Sequence, residues 1–128
     1  LINISALTYG AIGTSNNPLE QASFDQLFGQ TAPIIANFHG YPDTLVNILS
    51  NYTSKNRISG HGFEEQGSTV TPFAMLTMNH ASRLDLALDV VKMLGRQDLV
   101  EKYKQKLSDY QAYALEHGTD NPELGIIN

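Results

Sequence analysis

Apolar and polar positions alternate along the first seven residues, L-I-N-I-S-A-L from Leu1 to Leu7, with the period of two that a half-buried strand requires. Gly10, Gly13, Asn16, Asn17 and Pro18 then make Thr8 to Pro18 a loop. Ser23 to Phe28 reads as a short helix capped by Ser23 and stopped by Gly29, with Phe24, Leu27 and Phe28 facing inward. A brief apolar run, P-I-I-A-N-F from Pro33 to Phe38, has the length and character of a strand covered on both faces. After it, Asp43 is placed to cap a helix whose apolar residues Leu45, Ile48, Leu49 and Tyr52 recur at helical spacing. A third strand is expected over Arg57 to Gly62, then a short helix from Pro72 to Met78 closed by a left-handed Asn79. Ser82 and Asp85 form a capping box ahead of a stripe at Leu84, Ala87, Leu88, Val91 and Leu94, which Gly95 ends. A last amphipathic helix over Asp98 to His117 has its stripe at Leu99, Tyr103, Leu107, Tyr110 and Ala114, an Asp98–Lys102 pair, and Gly118 as its stop. The tail reads as irregular.

Strands separated by helical segments imply parallel connections, because a parallel crossover needs a dozen or more residues and usually a helix. The expected fold is therefore α/β: a doubly wound, mainly parallel sheet with helices on both faces, in one domain over residues 1–128. Three strands are few for such a sheet, and the chain starts on strand pattern at Leu1. An upstream strand and helix are expected to belong to the same domain.

Composition narrows the classes. Hydrophobic residues at 41% and charged ones at 16% are globular proportions, too interrupted for a membrane span. A net charge of -5 with scattered basic residues argues against a nucleic-acid surface. The absence of cysteine leaves no disulfide framework, thiolate nucleophile or thiolate zinc site and fits a cytoplasmic protein.

The candidate chemistry gathers at Arg57 to Met75. Gly60, Gly62 and Gly67 allow sharp backbone turns after the third strand, and Thr71 with Pro72 opens the next helix. Ser68, Thr69 and Thr71 thus sit where free amides and the helix dipole favour an anion, although a capped helix needs the same residues with no ligand at all. Ligands of open parallel sheets collect at the carboxyl ends of strands. His39 and Tyr41 follow the second strand; His61 ends the third, with Glu64 and Glu65 beyond it. Adjacent pairing would bring His39, His61 and the carboxylates to one rim, as metal ligands, as acid and base, or as loop-bracing hydrogen-bond partners, the last being the commoner use of histidines at strand ends. His117 suits the negative end of a helix, and Tyr103, Tyr110 and Tyr113 suit either packing or a contact surface. The candidates for anion, substrate or interface contact are His39, Tyr41, Arg57, His61, Glu65, Ser68, Thr69 and Thr71. No nucleophile elbow, Walker loop or dinucleotide fingerprint occurs, so no residue is assigned a catalytic, cofactor or metal role.

The run G-H-G-F-E-E-Q-G-S-T-V-T-P-F-A-M resembles the carboxy-terminal domain of the phosphoketolases, whose pattern there runs roughly G-Y-x-E-x-G-x-T-T-T-P-F-D-M. P-I-I-A-N-F-H-G-Y-P at Pro33 to Pro42, the Arg83, Leu86 and Ala87 helix start, and Glu116, His117, Gly118 extend the resemblance over the chain. It departs at Ala74, where the family has P-F-D, and at Ser82 and Asp85, where the family has D-R-x-H. The resemblance implies a transketolase carboxy-terminal-like module within a cytoplasmic homodimer. The parent would use thiamine diphosphate and magnesium, held by earlier domains, to cleave xylulose 5-phosphate or fructose 6-phosphate with phosphate, giving acetyl phosphate. It implies an assembly or regulatory role for the domain, with a small-anion or sugar-phosphate binding module as the alternative.

Overall fold

A computed structural model describes residues 20–64 and 69–125. The strand expected at Leu1 to Leu7 and the loop to Pro18 lie outside the described residues, as do Glu65 and Ser68.

Two strands, β1 (Ile34–Phe38) and β2 (Ile58–Gly62), pair in parallel with Ile34 opposite Ile58 and Phe38 opposite Gly62. A parallel pair cannot close through a tight turn, and α2 (Pro42–Leu49) supplies the crossover. Side chains alternate between the faces of a strand, which fixes what each face of this sheet meets. Ile34, Ala36 and Ile58 share one face. There they pack with α1 (Gln21–Phe28) and α2 around buried Phe24, Leu49 and Tyr52. Phe24 stacks between Phe28 and Tyr52 at 4.5 and 4.6 Å between ring centroids.

The opposite face carries Ile35, Asn37, Ser59 and His61, and it meets α4 (Arg83–Met93) and the turn before it. Asn37 Nδ2 donates to the Ala81 carbonyl at 3.3 Å, while Ser59 and His61 reach Asp89. Helices therefore cover both faces of the parallel pair, and the fold is α/β as the pattern implied. A second core forms where α3 (Pro72–Met78) and α4 pack on α5 (Gln97–His117), with Phe73, Leu84 and Tyr110 buried and Phe73 edge-on to Tyr110.

Helix ends show why the boundaries fall where they do. The capping box at Ser82 and Asp85 is complete: the Ser82 Oγ accepts from the Asp85 amide, the Asp85 carboxylate accepts from the Ser82 amide, and the two side chains bond each other. Thr71 caps α3 by accepting from the Ala74 amide at 3.2 Å, and Gly118 ends α5 at φ +67°. Other ends differ from expectation. Helix α1 starts earlier, with Glu20 as a cap that offers no side-chain bond, so Ser23 lies inside the helix, and Leu27 is 48% exposed. Tyr41 rather than Asp43 is the cap residue of α2, because Pro42 takes the first helical position; Asp43 instead meets the helix dipole from the first turn. Arg57 closes a 3₁₀ turn, Lys55–Arg57, before β2 begins. The left-handed residue after α3 is His80 at φ +51°, not Asn79, which stays at φ −92° and accepts the Glu64 amide through Oδ1. Leu94 falls outside the buried stripe, at 69% exposure, Asp98 pairs with Arg96 rather than Lys102, and the tail winds into a 3₁₀ turn at Pro122–Gly125.

The glycines of β2 set how closely α2 lies on the sheet. A Cβ at Gly60 would strike the Val46 side chain, and one at Gly62 would strike the Gly40 carbonyl and Pro42. Since the Gly62 neighbours are backbone and a proline ring, they have no rotamer to retreat into. Gly62→Ala is expected to lower stability by about 1–3 kcal/mol through overpacking, and Ser82→Ala by about 1 kcal/mol through the lost cap. Urea midpoints of the two variants against the parent chain measure both.

Candidate functional site

The carboxyl ends of β1 and β2 open onto the loops that the sequence marks as candidate chemistry. His39 lies exposed just past β1 and stacks on Phe63, 5.2 Å between ring centroids, and Tyr41 beside it is 66% exposed. The Phe63 amide donates to the Gly40 carbonyl at 2.9 Å, which ties the two strand ends together.

His61 belongs to a different set of contacts. Its Nδ1 stands 2.6 Å from the His80 carbonyl oxygen, which can only accept, so that nitrogen donates. Nε2 stands 2.9 Å from Asp89 Oδ2, and Ser59 Oγ donates to the same oxygen at 3.0 Å. The His61 side chain is only 10% exposed. His61 is thus turned onto α4 and the α3–α4 turn, while His39 is engaged with Phe63. Ser59, His61 and Asp89 have the residue types of a nucleophilic triad without its geometry. In a triad the carboxylate holds one ring nitrogen and the serine faces the other; here the serine and the carboxylate share Nε2, with Ser59 Oγ 3.4 Å from it. The cluster braces β2 against α4.

Asp89 is held below its usual value of 3.8. Burial alone would raise it, and the hydrogen bonds from Ser59 and His61, with the electrostatic pull of His61 and Lys92, outweigh that effect.

Arg57 serves the fold. Its Nε donates to the Ala32 carbonyl at 2.9 Å, Nη1 to Thr53 Oγ1 at 2.8 Å, and Nη2 to the Phe28 and Gly29 carbonyls at 3.2 and 3.1 Å. The last two are carbonyls at the end of α1, where a helix leaves acceptors without partners and carries partial negative charge. The guanidinium is therefore a cap supplied from a residue 28 positions away in sequence.

The start of α3 has the free amides that suggested an anion site, and the chain's own groups occupy two of them. Thr71 Oγ1 takes the Ala74 amide, and Asp120 Oδ2 takes the Phe73 amide at 3.0 Å. Asp120 lies 47 residues away in a loop after α5, so no local sequence signal marks it. Thr69 and Thr71 line an open groove of about 770 Å³ between α3 and α5, with Val70, Met78, Gln111 and Leu115. Of the eight sequence candidates, His39 and Tyr41 share the strand-end rim, Thr69 and Thr71 share this groove, Arg57 and His61 brace the fold, and Glu65 and Ser68 are outside the described residues. Among the described residues no group of three histidine or carboxylate side chains is placed to hold a metal ion, and no helix is long and apolar enough to cross a membrane.

Comparison with known proteins gives a consistent set of relatives. A family model described as the XFP C-terminal domain matches residues 1–127. A protein of Rhodopseudomonas palustris (strain HaA2) named "Probable phosphoketolase" is 35% identical over 113 residues, covering 83% of this chain. Proteins of the same name from Pseudomonas putida (strain F1) and Brucella abortus (strain 2308) are 34% and 32% identical over 111 residues, each again covering 83% of this chain. In all three cases the match spans 14% of the relative's length.

Two outcomes follow from the geometry. Arg57→Met leaves the Phe28 and Gly29 carbonyls without their donor and is expected to lower stability by roughly 2 kcal/mol, read as a shift in thermal midpoint at neutral pH. Asp89 binds fewer protons folded than unfolded, so it stabilises the fold above its ordinary value, and that contribution fades as pH falls through the lowered folded value. Asp89→Asn is expected to be less stable at neutral pH and to show a flatter stability profile below about pH 4, measured by urea unfolding across pH 3 to 7.

Proposed function

The chain belongs to the phosphoketolase C-terminal domain family, and from that premise we propose that it works as the last domain of a thiamine diphosphate-dependent phosphoketolase. The parent cleaves xylulose 5-phosphate or fructose 6-phosphate with inorganic phosphate to acetyl phosphate and an aldose phosphate. The domain takes part in assembly of a cytoplasmic homodimer and in regulation, and the catalytic domains of the same polypeptide are its partners.

The observation that carries this reading is the match of residues 1–127 to the XFP C-terminal domain family, and the way the polar groups of the domain are engaged supports a role without catalysis. Arg57, His61 and Asp89 brace elements against each other, Thr71 and Asp120 cap α3, and Ser59 donates its hydroxyl to the Asp89 carboxylate. Such a set holds a fold and does not assemble nucleophile, base and oxyanion donors around one point. Among the described residues no three histidine or carboxylate side chains converge on one point. The resemblance to the family, not this absence, is what assigns thiamine diphosphate and magnesium to the other domains, and we route no step of the reaction through residues of this chain.

The test is an acetyl phosphate assay with xylulose 5-phosphate, phosphate, thiamine diphosphate and magnesium. The chain alone is expected to give none, and a polypeptide carrying it behind thiamine-binding domains is expected to be active. Acetyl phosphate formed by the chain alone would overturn the assignment.

A further inference from the structure

We infer that the groove between α3 and α5 is a docking site for a segment of the parent polypeptide, one that lays an apolar side chain into the groove and bonds Asp120 with an arginine or lysine beside it. The inference rests on the reading of this chain as one domain of a longer enzyme.

Two helix faces that touch at one level and part at the next build the groove. Tyr110 and Ala114, four apart on α5, are buried, with Tyr110 against Phe73 of α3. One position further round the helix, Gln111 and Leu115 line the open space, and Ala74 and Met78 line it from α3. Thr77 and Ala114, both buried, are its deepest residues. Leu115 is 88% exposed and Met78 57%, and Val70 beside them is exposed as well. Single exposed apolar residues are ordinary on a surface, whereas several around one concave space mark a contact face. A small molecule seated in the groove would leave the outer side of Leu115 in water. A polypeptide lying along it covers Leu115 and fills the space together.

Charge decides what kind of segment this is. Among the described residues that line the groove, Asp120 alone carries a formal charge. Its Oδ2 accepts the Phe73 amide, and its Oδ1 is buried with no hydrogen-bond partner. A buried carboxylate oxygen without a donor is costly, and a cationic donor offsets that cost best. The complement of this face is therefore apolar with one positive charge. The parent supplies it: the matches span 14% of the length of each relative, so most of such a polypeptide lies outside the region this chain matches.

Methionine oxidation reads the occupancy, because Met78 borders the groove while Met93 on α4, 48% exposed, does not. In dilute hydrogen peroxide the chain alone is expected to form sulfoxide at Met78 and Met93 at comparable rates. In the polypeptide that carries this chain behind thiamine-binding domains, Met78 is expected to react at least about tenfold more slowly. Leu115→Asp, at an exposed position, is expected to return Met78 to its rate in the chain alone and to leave Met93 unchanged. Thr119→Lys, beside Asp120 and also exposed, is expected to speed Met78 oxidation in that polypeptide at least about threefold, and Thr119→Glu to leave it slow. A Met78 that is as reactive in the polypeptide as in the chain alone overturns the docking. So does a Met78 that is slow in the chain alone and speeds up on dilution, which assigns the groove to a second copy. Acceleration by Thr119→Glu equal to or above that by Thr119→Lys overturns the cationic partner. Acetyl phosphate is assayed on the same samples: an active polypeptide with unprotected Met78 sinks this inference alone, and an inactive one whose Met78 is protected and released by Leu115→Asp sinks the assignment of function alone.

Discussion

Parallel pairing is the constraint from which the rest of the described structure follows. Two parallel strands cannot be joined by a hairpin, so the chain after β1 must leave the sheet, travel back along a helix and re-enter beside its starting point. That return course places α2 on one face, and burial of Phe24, Ile34, Leu49 and Tyr52 holds it there. The same alternation that turns Ile34 and Ile58 toward α2 turns Asn37, Ser59 and His61 the other way, onto α4. One core is thus purely apolar, whereas the contact across the other face is a set of directional hydrogen bonds. The apolar side supplies most of the free energy of association between layers; the polar side fixes where α4 sits, because a misplaced Asp89 would leave buried donors without an acceptor.

How much of this could be read in advance depended on whether the information was local. The elements after residue 20 were legible because periodicity and capping are properties of short windows: the Ser82 and Asp85 box, Thr71 before Pro72, and the glycine at 118 all act within a few residues of themselves. Errors came where a local signal had a rival. Ser23 and Asp43 are good caps in isolation, but Glu20 and Pro42 set the helix starts before them. Asn79 tolerates the left-handed region, yet its side chain is engaged with the Glu64 amide and the strained angle passes to His80.

The candidate site was less legible for the same reason carried further. Arg57 and His61 were marked as chemistry because both are polar residues at a strand, and nothing nearby in sequence shows that the guanidinium reaches back to Phe28 and Gly29 or that the imidazole bridges His80 and Asp89. Asp120 is the clearest omission. It meets the amide end of α3, where the sequence suited either an anion or a capped helix with no ligand, from a loop with no motif to announce it. In each case a contact distant in sequence converts a group that looks available into one that holds two elements together, and family membership rather than geometry carries the functional reading.

The Arg57 clamp has a consequence for the kind of hold it exerts on α1. Its guanidinium is met by three carbonyl oxygens and a hydroxyl, with no carboxylate among these partners. Mobile ions screen the attraction between separated formal charges far more than a contact between a cation and the dipoles it touches. Carbonyls, unlike carboxylates, also gain no proton in mild acid. The tether of α1 to the base of β2 therefore contains no titrating carboxylate, in contrast to the Asp89 brace at the other end of the same strand, so acid would loosen this layered unit from its α4 side first.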